Sequence, residues 1–299
     1  MRIVNFGSLN LDYVYRVPRF PAPGETLGAL EQRVVPGGKG LNQSVALARA
    51  GAEVFHAGLV GAGGETLREL LREQGVDVSL LRSTDTLQGN AVIQVNDAGE
   101  NCILLFGGSN RAITKEQVAE TLGRFGPGDL LVLQNEVSCL PDMIDEALAR
   151  GMKVALNPSP FDESLRARPL DALSWLFINE VEGAQLTGKS EPDRILERAR
   201  ALYPSVGVVL TLGSAGAVCS LPGEAVVRQP AYRVNAVDTT AAGDTFTGYF
   251  LASWAAGETL PVCLKRAAAA SAISVGRPGA SPSIPMLEEV LAFIEEAES

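Results

Sequence analysis

Short runs of β-branched and aliphatic residues alternate with helical patterns along most of this 299-residue chain. Apolar residues spaced three and four apart between the runs predict amphipathic helices. Strands that alternate with helices form a mostly parallel sheet with helices packed on both faces, so the pattern predicts an α/β fold. The predicted strands span 3–7, 54–60, 130–134, 153–157, 176–178 and 206–212; the predicted helices span 41–50, 66–73, 115–124, 141–150, 180–187, 194–202, 244–256, 260–275 and 286–296.

Two regions interrupt this alternation. Residues 11–17 and 26–35 are strand-like and flank a turn rich in proline and glycine, and residues 89–106 read as a hairpin around 97–100. Strands inserted early in an α/β fold predict a small second sheet, which either covers a site or decorates the surface. With no repeat or linker in view, the length fits a single domain over 1–299.

The amino-acid composition limits the ligands that the protein can bind and the residues that can act as a base. The net charge of −10 opposes nucleic acid and anionic membranes, so an anionic ligand would need local donors and a metal ion. No apolar run reaches the roughly 18 residues of a membrane helix, and the first residues read as a strand, so a cytoplasmic protein is expected. Four cysteines without CxxC spacing predict buried thiols. The single histidine, His56, is expected in the core, which leaves base chemistry to carboxylates or lysine.

The stretch PGGKGLNQ at 36–43 places three glycines around Lys39 where a helix begins. Glycine lets the backbone approach a ligand, and a helix start offers free N–H donors. Because Gly40 follows the lysine, the stretch is not a Walker A loop, and a solvated lysine remains the alternative. Asn10 and Asp12 follow the first strand on one face, where they suit sugar hydroxyls or simply end a strand.

Two other stretches follow buried strands. NEVE at 179–182 predicts a capping box, or an amide and a carboxylate facing a hydrated metal ion through Asn179 and Glu182. TLGSAG at 211–216 leads from a strand into a glycine turn whose hydroxyls suit a phosphate or a ribose. Neither stretch is specific by itself.

The stretch VDTTAAGDTFTGYF at 237–250 turns from small residues into an amphipathic helix. The backbone N–H groups of 242–244 would point at one spot, where small side chains leave room for an anion. Asp244 is either an N-cap or a base that accepts the proton of an attacking alcohol, since phosphoryl transfer needs positioning more than a strong base.

Taken together, these stretches resemble the ribokinase family of PfkB-type sugar kinases over nearly the whole chain. GGKGLNQSVALARAG and VDTTAAGDTF match both family signatures, with NEVE and TLGSAG between them. SLNLD, FPAPGET, LQNE and NPSP are similar to the ribose-phosphorylating branch. The resemblance implies a three-layer α/β/α sandwich with a mostly parallel central sheet and a small β-sheet lid built from 11–17, 26–35 and 89–106.

The resemblance also implies roles for individual residues. Asp244 would be the catalytic base, Ala242 and Gly243 part of an anion hole, and Lys39 a phosphate ligand. Glu182 would orient Mg²⁺ through water. The remaining implied positions bind the sugar at Asn10, Asp12, Gly38, Lys39, Gly40, Asn42, Glu136 and Asp244, and ATP at Asn179, Thr211, Gly213, Ser214, Gly216, Gly243 and Ala268.

A monovalent cation, usually K⁺, is used beside the anion hole in this branch of the family. The implied ligands, mostly through carbonyl groups, are Asp238, Thr240, Ser274, Arg277, Gly279 and Ser283. Ala268 departs from the polar ring that such kinases often place beside adenine, which leaves nucleotide preference open. The resemblance further implies a homodimer formed through the lid.

The activity so implied is transfer of the γ-phosphate of ATP to a primary hydroxyl of a furanose, with O5 of D-ribose as the first expectation. Kinases of the fructose, adenosine or pseudouridine type are the alternatives within the same machinery. A sugar-binding regulatory protein without turnover is the alternative from another class.

Overall fold

The computed structural model describes residues 1–163, 165 and 170–298. The chain folds there into two sheets flanked by helices. The strands are β1 (Ile3–Phe6), β2 (Asn10–Arg16), β3 (Glu31–Gly37), β4 (Val54–Ala62), β5 (Asp77–Leu87), β6 (Asn90–Val95), β7 (Asn101–Phe106), β8 (Leu130–Gln134), β9 (Lys153–Asn157), β10 (Trp175–Asn179), β11 (Gly207–Thr211), β12 (Ala217–Ser220) and β13 (Val227–Gln229). The helices are α1 (Lys39–Arg49), α2 (Glu65–Glu73), α3 (Lys115–Leu122), α4 (Leu140–Ala149), α5 (Glu180–Thr187), α6 (Pro192–Leu202), α7 (Ala242–Ala255), α8 (Leu260–Val275) and α9 (Leu287–Glu298).

The large sheet has nine strands in the order β13-β12-β11-β10-β9-β8-β1-β4-β5. All neighbouring pairs from β11 to β5 are parallel, whereas β12 and β13 join antiparallel at one edge. This arrangement confirms the predicted mostly parallel α/β sheet. The prediction missed β5, β12 and β13, because β5 is largely polar and exposed and the other two are very short.

One apolar cluster covers each face of the large sheet, and each cluster attaches a layer of helices to that face. In β1, Ile3 enters the cluster formed with α1, α2, α7, α8 and α9, whereas Val4 and Phe6 enter the cluster formed with α3–α6. Successive side chains of a strand point to opposite faces, so each buried strand supplies both layers. The three-layer sandwich follows from this alternation.

The small sheet has four strands in the order β3-β2-β6-β7. It leaves the large sheet between β1 and α1, where β2 and β3 pair antiparallel with Asn10 opposite Gly37. The second predicted lid segment, 26–35, begins and ends too early, because β3 spans Glu31–Gly37. All six residues of β7 are exposed, and Leu104 keeps 71% of its surface accessible.

The described chain contains no helix both long and apolar enough to span a membrane. The expectation of four buried cysteines was partly wrong. Cys219 and Cys263 are buried, but Cys102 lies on exposed β7 and Cys139 is half-buried at the start of α4. His56 is fully buried in β4, as expected.

Candidate active site

A buried polar pocket lies where β1 ends and α1 begins. Asn10 starts β2, and its Oδ1 accepts a hydrogen bond of 2.8 Å from Asn110 Nδ2. Glu136 follows β8 and accepts hydrogen bonds from the Ser8 hydroxyl and, at 3.1 Å, from the Lys39 backbone N–H. These contacts bring residues that are about a hundred positions apart in sequence into one pocket.

Asp12 and Glu136 are the two carboxyl groups of this pocket. Burial raises the pKa of Asp12 to about 7, and the charge of Glu136 adds to the shift. Burial also raises the pKa of Glu136, against the opposing effects of the Lys39 ammonium group and the Ser8 hydroxyl. Asp12 Oδ1 and Asn42 Oδ1 are buried acceptors without a hydrogen-bond partner among the described residues. Such atoms are costly unless a ligand satisfies them, so the pocket is built to receive hydroxyl donors.

Glycine is required around this pocket by close packing. A Cβ on Gly37 would lie 2.0 Å from Asp12 Oδ2, and one on Gly40 would lie 2.3 Å from the Ser8 backbone N. Gly38 has a φ of 95°, which favours glycine. The N–H of Gly40 donates to Ser8 Oγ, so this glycine lies behind the pocket wall.

Lys39 is the first residue of α1 and is surrounded by carboxylates. Burial would lower its pKa, but the charges of Asp244, Glu136 and Glu182 outweigh burial and leave the pKa above its ordinary value. The ammonium group therefore stays charged within the part of the site where these three carboxylates converge. A charge in that position can bind and stabilise an anion.

Asp244 lies in the first turn of α7 and is 6% exposed. Its Oδ2 accepts a hydrogen bond of 3.0 Å from Asn42 Nδ2, and its Oδ1 accepts one of 3.0 Å from Gln43 Nε2. Both donors come from the first turn of α1, so the two signature stretches meet at this carboxylate. The side chain does not cap its own helix, since the residue before α7 is Ala241 and makes no side-chain cap.

The start of α7 is shaped by backbone strain. Ala241 has a φ of 62°, a left-handed conformation that alanine rarely adopts and that tends to mark functional turns. The Ala242 N–H is already used, at 3.2 Å from the Thr239 carbonyl oxygen. The space that a Cβ on Gly243 would enter is free of protein atoms within 4 Å. A helix start with open space in front of it suits an anion.

A polar cavity of about 230 Å³ lies in front of this helix start. Lys39 and Asp244 line it, as do Asn179, Glu182 and Ala242. Asn179 and Glu182 form a capping box on α5, with Asn179 Oδ1 accepting the Glu182 N–H at 2.8 Å. The local interpretation of NEVE is thus correct, and the same residues also face the cavity.

A second cavity of about 480 Å³ adjoins the first and shares Thr211, Ala242 and Gly243 with it. Its lining is mainly apolar and includes Phe246, Tyr232 and Ala268. Its size and lining suit a flat aromatic ligand. Five residues predicted to bind nucleotide line this cavity in addition to Gly243, namely Thr211, Gly213, Ser214, Gly216 and Ala268.

The residues predicted to bind a monovalent cation lie beside the start of α7. These residues come from two segments, 238–240 and 274–283, and Asp238 joins them. Its Oδ1 accepts from the Thr240 N–H and its Oδ2 from the Gly279 N–H, each at 2.9 Å. Burial would raise the pKa of Asp238, but these hydrogen bonds hold it below its ordinary value. Ser274 and Ser283 are buried and share a hydrogen bond of 2.7 Å. The Arg277 side chain donates to Glu289, which leaves only the backbone of this residue for the predicted cation site.

Several residues of the site carried no distinct sequence signal. Asn110 accepts a hydrogen bond from the Leu9 N–H and donates one to Asn10, yet it lies in a short 3₁₀ helix, Gly108–Arg111, far along the chain. Ser8 and Gln134 lie within the stretches SLNLD and LQNE, but the resemblance assigned neither of them a role. Gln43 follows Asn42 in the glycine-rich motif, and its place in the first helical turn could have indicated contact with Asp244.

A buried carboxylate at a helix start, a charged lysine and an adjoining apolar cavity thus lie together within an α/β sandwich, an arrangement that suits phosphoryl transfer. The chain belongs to the pfkB family of carbohydrate kinases, whose family model matches residues 1–287. It is 34% identical to the ribokinase of Haemophilus influenzae over 300 residues, covering 97% of both chains. It is also 34% identical to the ribokinase of Staphylococcus aureus over 304 residues, covering 97% of this chain and 98% of the other.

Solved structures give the same result. The ribokinase of Arabidopsis thaliana, complexed with ribose and ATP, superposes with a TM-score of 0.86 at 29% identity over 98% of each chain. The ribokinase of Cryptococcus neoformans in complex with ADP gives a TM-score of 0.85 at 33% identity, covering 97% of this chain and 98% of that one.

Proposed function

We propose that this carbohydrate kinase transfers the γ-phosphate of ATP to O5 of D-ribose. One observation carries the proposal: Asp244 accepts a hydrogen bond from Asn42 of the polar pocket and lines, with Lys39 and the start of α7, the polar cavity that adjoins the larger apolar one. The many ribokinases among the full-length relatives support ribose as the sugar.

The sugar binds in the polar pocket under the small sheet. Asp12, Asn42 and Glu136 accept hydrogen bonds from its hydroxyl groups, and Asn10 is held for the same task by Asn110. The unsatisfied acceptor atoms of Asp12 and Asn42 favour hydroxyl donors over apolar ligands. The small sheet acts as the lid that excludes water from the pocket.

Asp244 accepts the proton of the sugar hydroxyl as its oxygen attacks the γ-phosphorus. The new O–P bond forms as the bond from that phosphorus to the β,γ-bridging oxygen of ATP breaks, and ADP leaves. The Lys39 ammonium group and the N–H groups of Gly243 and Asp244 stabilise the charge on the transferred phosphoryl group. The base lines the same cavity as Lys39 and the helix start, which favours this geometry.

Mg²⁺ is the metal that fits the polar cavity. Glu182 and Asn157 line it with carboxylate and amide groups, the oxygen donors that Mg²⁺ prefers. One Glu182 oxygen, Oε2, already accepts the Asn179 N–H at 3.1 Å, which leaves the other available to hold the ion through water. When bound, Mg²⁺ neutralises phosphate charge.

We assign K⁺ to the turn before α7, where the Asp238 carboxylate links residue 240 to Gly279 by accepting their N–H groups. Backbone carbonyl groups of these two segments would supply most of the ligands. A cation there orders the turn that precedes Ala241. Exchange of potassium for sodium salts should lower kcat by about threefold or more. Equal rates in the two salts would remove the cation from the proposal.

A homodimer formed through the small sheet completes the proposal. Leu104 and Ile103 are exposed on β7, an edge strand that offers unpaired backbone groups to another chain. A second copy of the chain covers this surface. Light scattering should give a dimer mass for the protein and a monomer mass for Leu104→Glu, with a dimer in the control Leu291→Glu on α9.

Deoxyribose is the second candidate substrate, because a deoxyribokinase of Salmonella typhi is 31% identical over 98% of this chain. The test is ATP-dependent phosphorylation of ribose, deoxyribose, fructose and several nucleosides with Mg²⁺ and K⁺ present. A preference for ribose of about tenfold, or roughly 1.4 kcal/mol in transition-state free energy, supports the proposal. If another substrate gives a larger kcat/KM than ribose, that substrate takes the place of ribose in the proposal. If none of them is phosphorylated, the proposed kinase activity is wrong.

A further inference from the structure

Five fully buried polar side chains form a continuous hydrogen-bonded chain behind Asp244. Asn5, His56 and Gln134 lie on the three neighbouring strands β1, β4 and β8, where apolar side chains would ordinarily pack. Gln43 and Ser44 of α1 lie over them. This series of hydrogen bonds runs from the Asp244 carboxylate in the active site to His56 in the core.

One backbone carbonyl fixes the direction of every amide in this chain. The Gly40 carbonyl can only accept, so the Asn5 Nδ2 group faces it at 2.8 Å and Asn5 Oδ1 must accept from Gln134 Nε2 at 2.9 Å. The second Gln134 N–H then donates to Gln43 Oε1 at 2.8 Å. This leaves Gln43 Nε2 as the group that faces Asp244 Oδ1, at 3.0 Å.

The other end of the chain agrees with this direction. Ser44 Oγ accepts from Asn5 Nδ2 at 2.8 Å, so its own proton is free to go to His56 Nδ1, which lies 2.7 Å away. Burial lowers the pKa of His56 to about 4, so the ring stays neutral and can accept that proton. No member of the chain has to reverse its orientation.

We infer that Gln134 is a positioning residue for the reaction, acting through Gln43 on the Asp244 carboxylate. If the Gln43 amide were free to turn over, its carbonyl oxygen would face a carboxylate oxygen and repel it. Gln134 prevents this by occupying Gln43 Oε1 with a donor. Asn42 and Gln43 together then hold the two oxygens of Asp244 in one plane and one rotamer.

A purely structural role explains this arrangement less well. Gln134 Oε1 is buried without a partner among the described residues, which is a cost that a leucine or methionine would not carry. That cost is understandable if the Gln134 amide is kept for its two N–H donors. The inference rests on the proposed role of Asp244 as base.

The test compares Gln134→Met, Gln43→Met and the double variant, with Gln117→Met as the matched control. Gln117 is also buried, and its side chain donates to the Gly58 carbonyl oxygen on another part of the sheet. Gln134→Met should lower kcat about tenfold and Gln43→Met about thirtyfold, with the KM values for ribose and ATP within twofold of wild type. Gln117→Met should keep its kcat.

The double variant separates positioning from general loss of structure. If Gln134 acts only through Gln43, the double variant should have the kcat of Gln43→Met, so the two effects are not additive. Additive losses, or equal kcat values for Gln134→Met and Gln117→Met, overturn the inference. If Gln134→Met does not fold, the kcat and KM values of Gln43→Met decide the matter, and a rise in KM with unchanged kcat overturns it.

Asp244→Asn is measured alongside to keep the two proposals apart. If that variant retains turnover, the assignment of the base fails and the inference falls with it. If Asp244→Asn is inactive while Gln134→Met and Gln43→Met keep the same kcat as the control Gln117→Met, the proposed function stands and only the positioning role is lost.

Discussion

The two halves of the site are built on different principles. The sugar side is buried and polar, and its acceptor atoms Asp12 Oδ1 and Asn42 Oδ1 have no partner among the described residues. The Asn42 amide is held by the hydrogen bond that it donates to Asp244. The nucleotide side is a wider and mainly apolar cavity lined by small residues such as Ala268 and Ala242. Fixed hydrogen-bond acceptors discriminate between hydroxyl patterns, whereas an apolar cavity discriminates mostly by shape. The comparison indicates a strict choice of sugar and a more tolerant choice of nucleotide.

The largest effect is expected at the junction of the two sides. Asp244→Asn keeps the shape but removes the base, and its amide group can accept from only one of Asn42 and Gln43, so kcat should fall by about 10³-fold or more. Ribose binding measured by calorimetry should stay within about threefold. A variant with near-normal kcat would mean that Asp244 is not the base. The catalytic group would then have to be sought elsewhere than between the sugar side and the nucleotide side.

Lys39 should have the next largest effect. Lys39→Met removes the charge that faces Asp244, Glu136 and Glu182, so kcat should fall about 100-fold through lost stabilisation of the phosphoryl group. Thermal unfolding of the same variant should show a folded protein with a lowered midpoint, since the carboxylates lose a cationic partner while the backbone of α1 is unchanged. An unfolded, inactive variant would instead indicate that Lys39 has a structural role.

The nucleotide side can be probed separately. Ala268→Leu adds volume to the apolar cavity and should raise the KM for ATP about tenfold, with the KM for ribose unchanged. Ala270→Leu, at a fully buried position on the same helix, serves as a control for folding. If ribose KM rises as much as ATP KM in Ala268→Leu, the two sides are not independent.

The sugar side predicts a dependence of stability on pH. The carboxyl of Asp12 has a pKa of about 7 in the folded chain and an ordinary value of 3.8. The folded state therefore binds more protons than the unfolded state between these values, and its contribution to stability is lost as pH rises from about 4 to 7. His56 has the opposite sign, because its pKa is lowered to about 4, and it costs stability as pH falls below 6.5.

Asp12→Asn isolates the first of these effects. Relative to wild type, the variant should become more stable by up to about 4 kcal/mol in free energy of unfolding as pH rises from 4 to 7.5. Urea unfolding at several pH values measures it, and Asp85→Asn on exposed β5 is the control. A difference that does not change with pH would mean that Asp12 ionises freely and that the sugar side is less desolvated than its geometry indicates.

The sequence alone determined the class of fold and the family. Alternating strands and helices predicted the parallel sheet, since a strand with two apolar faces must be covered on both sides. The two signature stretches predicted the family, which the comparisons confirm. The roles given to individual residues, the K⁺ loop, Mg²⁺ and the dimer remain predictions.

Only the tertiary structure decided which of these residues meet. Asn110 reaches Asn10 and Gln134 reaches Asn5 across large separations in sequence, because strand order and helix packing place them together. His56 illustrates the limit: its apolar neighbours correctly predicted burial, but not the polar chain that the ring joins. A sequence pattern records which face of an element is buried, whereas hydrogen-bond partners depend on the elements packed against that face.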